Sequence, residues 1–83
     1  MADLYNEVKV PQQGVNDQEV LVIKWNYKNM DKVSKGSILA ELENSKAVFE
    51  LENELDGYFY YLVDEGDYCQ VNEPVALILK KKE

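Results

Sequence analysis

The 83-residue chain contains no histidine and no arginine. Without histidine it lacks the usual general base near neutral pH and the commonest metal ligand, so no metal site is predicted. Without arginine it lacks the bidentate clamp that proteins use for phosphate groups. The sequence also contains no activated nucleophile and no phosphate-binding loop. We therefore predict a domain that is not itself an enzyme.

The chain has one cysteine, Cys69, and no apolar run long enough to span a membrane. A single cysteine excludes an internal disulfide and favours a reducing compartment. The first residues have neither the basic start nor the apolar stretch of a signal peptide. We therefore expect a cytoplasmic location, or the mitochondrial matrix if the chain comes from a longer eukaryotic protein.

The net charge is −7, and the lysines at 80–82 stand together at the end of the sequence. This charge argues against nucleic acid and acidic membrane surfaces as partners and favours basic protein surfaces. The length allows one small domain over residues 1–83, with a core of about 7–79, which we expect to be monomeric. The lysine run is interpreted as a solvated tail or the start of a linker.

Helical spacing is absent, and apolar residues instead alternate with polar ones over many short stretches. This pattern predicts an all-β chain. The predicted strands cover residues 7–10, 20–27, 32–34, 38–43, 47–52, 57–63, a short piece within 68–73, and 74–79, with a loop over 12–18. In the second strand, alternation places four residues on one face: Leu21, Ile23, Trp25 and Tyr27.

The chain repeats itself at an offset of 36 residues. The offset aligns Ile23 with Phe59, Trp25 with Tyr61, Asp31 with Asp67, and Val33 with Cys69. Two similar halves predict a sandwich with a pseudo-two-fold axis and one shared core. Trp25, Tyr61 and Cys69 are then expected in that core, and the two aspartates are expected to cap turns.

The polar segment 44–46 separates the strands predicted over 38–43 and 47–52. Asparagine and serine favour a turn here, because their short side chains can bond to their own backbone. The sequence therefore predicts a β-hairpin with Lys46 at its tip. The glutamates along the two strands are interpreted as solvated residues, with Glu43 as the exception.

Several motifs resemble those of the biotinyl/lipoyl attachment domain. A first strand that ends in proline corresponds to residues 8–11, and an aromatic second strand to 20–27. The family segment Gly-Asp-x-Val-x-x-Gly is similar to residues 30–36, where Met30 replaces the first glycine. Its second copy is similar to residues 66–72, where Asn72 replaces the last glycine, and Gly57 matches the glycine after the hairpin. The resemblance implies a flattened, eight-stranded barrel-sandwich with quasi-two-fold symmetry.

The same resemblance implies that Lys46 carries the covalent cofactor. Lipoyl domains typically have Glu-x-Asp-Lys-Ala around this lysine, and here Glu43 and Ala47 match while Ser45 stands in place of the aspartate. Biotinyl domains have methionine on both sides of the lysine, which this chain lacks. The resemblance therefore implies lipoic acid on Lys46, with Glu43, Ser45 and Ala47 as recognition residues, and biotin as the alternative.

The lipoyl reading also implies a set of partners. These are a lipoate-attaching enzyme and the decarboxylase, acyltransferase and dihydrolipoamide dehydrogenase of a 2-oxoacid dehydrogenase complex. Because the aspartate helps recognition by the decarboxylating partner in the family, Ser45 leaves the identity of that partner open. A third hypothesis is an unmodified barrel-sandwich that acts only as an adaptor.

Overall fold

The fold is described from a computed structural model, over residues 4–11 and 19–80. It contains eight strands: β1 (Tyr5–Lys9), β2 (Glu19–Trp25), β3 (Lys32–Val33), β4 (Ile38–Glu43), β5 (Val48–Glu52), β6 (Gly57–Tyr61), β7 (Tyr68–Gln70) and β8 (Pro74–Leu79). The predictions for residues 12–18 and 81–82 fall outside the described part. In that part no helix could cross a membrane.

The strands form two antiparallel four-stranded sheets, with strand orders β1-β8-β6-β3 and β5-β4-β2-β7. Their buried faces enclose a core of 14 apolar side chains. The sheets keep separate edges and do not close into one barrel. The prediction of an all-β, eight-stranded flattened sandwich is confirmed.

A pseudo-two-fold axis relates the two sheets. It exchanges β1 with β5, β2 with β6, β3 with β7, and β4 with β8, because equivalent strands have equivalent neighbours. Trp25 pairs with Ala40 in one sheet, and Tyr61 pairs with Ala76 at the equivalent place in the other. The repeat predicted from the sequence is therefore a structural repeat.

The offset of 36 residues does not hold along the whole of β2, because this strand contains a bulge between Val22 and Lys24. Val22 pairs with Leu42 as Phe59 pairs with Ile78, so Val22 and not Ile23 is the equivalent of Phe59. Val22 is fully buried, whereas Ile23 is 37% exposed. The predicted common face of Leu21, Ile23, Trp25 and Tyr27 is also wrong, since an extra residue in a strand reverses the alternation beyond it.

The aromatic residues of the two halves meet in the core. Trp25 is buried and stacks on Tyr61 with ring centroids 5.9 Å apart, while Phe59 lies 5.2 Å from the same indole. Tyr61 is partly buried against the cluster. Cys69 is 1% exposed, so its predicted role as a small core residue is confirmed.

The turns that connect the strands follow the two-fold. Met30 and its equivalent Gly66 both have positive φ, at 72° and 93°, and Gly36 and its equivalent Asn72 have φ of 94° and 73°. Met30 and Asn72 therefore adopt the left-handed conformation that glycine adopts at the equivalent positions of the other half.

Aspartates close two of these turns. Asp31 Oδ2 accepts a hydrogen bond of 2.8 Å from the N–H of Lys28, and Asp67 Oδ2 accepts one of 2.9 Å from the N–H of Asp64. The prediction that both aspartates cap turns is confirmed.

Candidate functional site

The candidate site is the tip of the β4–β5 hairpin. The strands pair up to Glu43 and Val48, which leaves residues 44–47 as the connecting turn. Lys46 is exposed in this turn, as are Ser45 and Ala47. The predicted hairpin is confirmed, although β5 begins at Val48 and not at Ala47 because Ala47 belongs to the turn.

Asn44 fixes the shape of the turn. Its Oδ1 accepts hydrogen bonds from the N–H groups of Lys46, at 2.8 Å, and Ala47, at 2.9 Å. Its own N–H donates to the carbonyl of Ala47 at 3.0 Å. The sequence indicated that asparagine favours a turn here, but it did not single out Asn44 as the residue that holds the lysine in place. The backbone of Lys46 is thus held while its side chain extends into solvent.

Glu43 is the last residue of β4 and is exposed on the outer face of its sheet. It pairs with Val48 on β5, which is 57% exposed, and with Leu21 on β2. Glu41 and Glu50 form the next pair along the hairpin on the same face. An enzyme that approaches Lys46 from this side would therefore meet Glu43 first, with further carboxylates behind it.

The tip lies on one side of the pseudo-two-fold axis, and the ends of the described part, Leu4 and Lys80, lie on the other. The end of β4 at Glu43 corresponds to the end of β8 at Leu79, which pairs with Tyr5. Beyond this pair, the N–H of Lys80 donates to the carbonyl of Leu4 at 3.0 Å. The ends of the described chain are therefore far from the turn that presents the lysine.

Other chemistry-bearing groups in the described part do not form a competing site. Burial raises the pKa of the Cys69 thiol, and the nearby carboxylates of Glu73 and Asp67 raise it further, so the thiolate nucleophile is disfavoured. Among residues 4–11 and 19–80, no group of three or more histidine, cysteine or carboxylate side chains is arranged to hold a metal.

A cavity of about 440 Å³ opens between the edges of β1 and β5. Val8, Leu51 and Ile78 line its floor, while Glu7, Glu50 and Glu52 stand among its walls. Neither the lysine nor any residue of the turn takes part in it. The hairpin tip is therefore exposed and does not line this cavity.

The tip residues are exposed and are arranged around a fixed backbone. An amide on Lys46 Nζ would need no pocket, since the lysine is exposed and its backbone is fixed by Asn44. The sequence-predicted residues Glu43, Ser45 and Ala47 all lie within three positions of this lysine on the same hairpin. Their roles around Lys46 stay a prediction.

Comparison with known proteins identifies the relatives of this chain. The biotin/lipoyl family model, described as "Biotin-requiring enzyme", matches residues 6–78. The dihydrolipoyllysine-residue acetyltransferase component of the pyruvate dehydrogenase complex from Dictyostelium discoideum is 32% identical over 93% of this chain, and that from Bacillus subtilis is 34% identical over 83%. A pyruvate dehydrogenase E1 component subunit beta from Rhizobium meliloti is 33% identical over 93%.

The chain corresponds to a small part of each relative. It covers 13% of the Dictyostelium protein, 16% of the Bacillus protein and 17% of the Rhizobium protein. The similarity therefore concerns one module that these longer proteins share.

Proposed function

Because the chain belongs to the biotinyl/lipoyl attachment family, we propose that it is a lipoyl carrier domain in which Lys46 bears the lipoyl group. One observation carries the proposal above all: Lys46 is exposed at a turn whose backbone Asn44 holds with two hydrogen bonds. A carrier needs an amine on a rigid and accessible turn, so that the attached arm can reach several active sites. The scaffold supplies this geometry and the cofactor supplies the chemistry.

Each tip residue then has a role. Lys46 Nζ forms the amide bond, Asn44 keeps the lysine directed away from the sheets, and Glu43 and Ala47 are recognised by the attaching enzyme. Ser45 occupies the position where lipoyl domains typically have aspartate, and it adjusts which decarboxylase accepts the domain. When attached, the lipoyl group supplies a dithiolane that takes up an acyl group together with two electrons.

We infer that the domain works by proximity. A tethered arm meets its partner active sites at a high effective concentration, which increases the rate of each transfer without any catalytic group on the carrier. The described residues include no histidine or activated nucleophile that could perform the transfers. In this proposal the domain serves an acyltransferase but is not itself the catalyst.

The names of the relatives support the choice of complex. Two of the three are acetyltransferase components of pyruvate dehydrogenase complexes and the third is an E1 component of pyruvate dehydrogenase. The partners proposed here are accordingly the decarboxylase, the acyltransferase and the dihydrolipoamide dehydrogenase of a 2-oxoacid dehydrogenase complex, with a lipoate-attaching enzyme upstream. The relatives include bacterial and mitochondrial proteins, so the cytoplasmic location stays a prediction.

The intact mass of the protein tests the proposal directly. The wild-type protein, Lys46→Ala and Lys35→Ala are expressed in cells supplied with both lipoate and biotin. Lys35 is a matched control, because it is exposed in a turn and also follows a serine. We expect a lipoyl-sized increase in the wild type and in Lys35→Ala, and none in Lys46→Ala.

Other results would overturn the proposal. A biotin-sized increase would show a biotin carrier, the second function that the family allows. An unmodified mass in the folded protein after incubation with purified lipoate ligase would favour the unmodified adaptor, and Ser45→Asp would then show whether the missing aspartate is the reason.

A further inference from the structure

A row of paired side chains lies directly beside the lysine turn, on the outer face of the β5-β4-β2-β7 sheet. It crosses all four strands, and we call its members the tip row: Val48, Glu43, Leu21 and Tyr68. Each member is the direct cross-strand partner of the next, and such partners lie on the same face of a sheet. The chain neighbours of three members, Leu42, Val22 and Cys69, are buried, so the row itself faces solvent.

The tip row is apolar apart from one carboxylate. Tyr68 is 66% exposed and Val48 is 57% exposed, and Leu21 beside Tyr68 is partly exposed. Glu43 stands between Val48 and Leu21, so its carboxylate has apolar neighbours on both sides. The solvent face of an antiparallel sheet is normally polar, and adjoining exposed apolar side chains are typical of a surface that contacts another molecule.

The next row on this face is charged. Glu41 pairs with Glu50 on β5 and with Lys24 on β2. Ile23, in the bulge of β2, is 37% exposed between the two rows. The apolar surface is therefore concentrated at the end of the sheet that presents the lysine. A partner that covers it needs an apolar surface with a cation opposite Glu43.

The pseudo-two-fold places an equivalent row at the other end of the molecule. Its members pair in the same order and lie beside the ends of the described chain: Tyr5, Leu79, Tyr58 and Lys32. This row also has an exposed apolar side chain in Tyr5, so apolar character alone does not identify what covers the tip row. Only the tip row combines a central carboxylate with an exposed lysine turn beside it. Its position next to Lys46 therefore decides the partner.

The length of a lysine side chain decides which enzyme covers the tip row. The attaching enzyme acts on Lys46 Nζ itself, so its active site must come within one side-chain length of the turn. Enzymes that act on the lipoyl group work at the far end of the extended arm and can stay further from the sheet. Glu43 and Val48 border the turn, and Tyr68 lies two strands, about 10 Å, from Glu43. The rim of an active site that receives Lys46 Nζ therefore lies over the tip row.

We propose that the tip row is the surface by which the lipoate-attaching enzyme selects this domain, and that Tyr68 is a specificity-determining residue outside the hairpin. Strand pairing holds the four side chains in fixed relative positions, which suits precise recognition. Recognition then extends from the hairpin across β2 to β7. The inference rests on the proposed function.

Lipoylation kinetics test the proposal. The wild type, Tyr68→Ala and Tyr5→Ala are incubated with purified lipoate ligase, lipoate and ATP, and the intact mass is followed over time at several domain concentrations. Tyr5 is the matched control, because it is an exposed tyrosine on an edge strand in the equivalent row. We expect Tyr68→Ala to raise the KM for the domain about tenfold with little change in kcat, and Tyr5→Ala to change neither. Equal effects of the two variants would overturn the proposal.

Two conservative variants separate contact from structure. Tyr68→Phe keeps the ring and should retain the wild-type KM, because the contact is apolar. Val48→Thr keeps the shape of the side chain but replaces a methyl group by a hydroxyl, and should raise the KM about threefold. Unchanged thermal unfolding of these exposed variants shows that the fold is intact. A wild-type KM in both Tyr68→Ala and Val48→Thr would refute the tip row.

Binding without chemistry provides a second readout. The ¹⁵N-labelled Lys46→Arg domain, which cannot be lipoylated, is titrated with the same ligase. We expect the amide signals of β2 and β7 to change together with those of the turn. Changes confined to the turn would overturn the proposal. So would a Tyr68→Ala variant that raises only the KM for reductive acylation by a decarboxylase, since the row would then serve that partner.

The failure of this inference and that of the carrier function give different results. A lipoyl mass on the wild type, with the same KM in Tyr68→Ala, would refute the tip row alone. A missing lipoyl mass on the folded wild type would refute the carrier function, whichever signals change in the titration.

Discussion

The two halves of the molecule have similar residues in the core and different residues on the outer faces of the sheets. In the core, Val33 corresponds to Cys69 and Leu39 to Val75, and all four side chains are buried. On the outer faces, glutamates of β4 correspond to leucines of β8. Packing thus constrains both halves alike, because each buried position must fill the same shared core. The outer faces and the lysine turn are where the residues of the two halves differ.

The strongest internal break in the symmetry is Gly57. It pairs with Val33 as Val20 pairs with Cys69, so one half has glycine where the other has a buried valine. A Cβ at Gly57 would lie 2.6 Å from Ile78 Cγ2 and 2.6 Å from the carbonyl oxygen of Leu79. We expect Gly57→Val to lower the free energy of unfolding by about 3 kcal/mol, as measured by urea denaturation.

Gly36→Ala is the control for this prediction. A Cβ at Gly36 meets nothing within 4 Å, but φ is 94°, so only the backbone conformation opposes the substitution. A loss of about 1 kcal/mol is expected. If Gly36→Ala proved as costly as Gly57→Val, the steric account of Gly57 would be wrong.

The hairpin turn differs from its equivalent at the chain end through Asn44, whose counterpart at the offset of 36 is Lys80. Asn44→Ala removes the acceptor for the N–H groups of Lys46 and Ala47. We expect the local stability of the turn to fall by about 1–2 kcal/mol, seen as faster hydrogen exchange of these two amides. Because the lysine is then less well positioned, kcat/KM for lipoylation should fall about tenfold.

Asn44→Asp keeps an acceptor oxygen at the same position and serves as the control. It should retain slow exchange at Lys46 and Ala47. If Asn44→Ala were lipoylated as fast as the wild type, the hydrogen bonds that fix the turn would not affect the rate of attachment.

Substituting glycine at two turn positions would make the turns of the two halves alike. Met30 adopts φ of 72° where its equivalent is Gly66, and Asn72 adopts φ of 73° where its equivalent is Gly36. Met30→Gly should stabilise the fold by about 1 kcal/mol, because a left-handed conformation strains a residue with a long side chain. Asn72→Gly should gain less, since asparagine tolerates this conformation. Thermal unfolding of the two variants measures the difference, and a larger gain for Asn72→Gly would contradict the account.

The smallest effect is expected at Cys69, where the other half has Val33. Burial, and then Glu73 and Asp67, raise the pKa of the folded thiol above its ordinary value of 9.0. The unfolded chain therefore loses the proton first, so the stability from the neutral thiol is present below about pH 9 and is lost as the pH rises through the folded pKa. The slope is at most about 1.4 kcal/mol per pH unit.

Cys69→Val isolates this contribution, because both proteins share every other titrating group. Urea unfolding between pH 8 and 10.5 should show the wild type losing stability faster than the variant. Parallel pH profiles would mean that the thiol remains protonated in both states, or ionises equally in both.

Much of this architecture could be predicted from the sequence, because alternation reports which residues of a strand are buried. The limits of β4 and β8 were predicted correctly, and the hairpin follows from the polar residues between two alternating runs. The bulge in β2 could not be predicted, since Ile23 continues the alternation in the sequence while the backbone breaks it. The bonds of Asn44 to Lys46 and Ala47 also escaped prediction, because several residues of the segment 44–46 could have closed the turn.

The packing of Trp25 makes the lone tryptophan a reporter of how the halves come together. Its indole N–H donates to the carbonyl of Val63, its backbone N–H donates to Glu65 Oε2, and its ring stacks on Tyr61. All three partners belong to the second half of the chain, although Trp25 belongs to the first. We therefore expect its fluorescence to change when the two halves pack together. The lone tryptophan can in this way follow the assembly of the core during refolding.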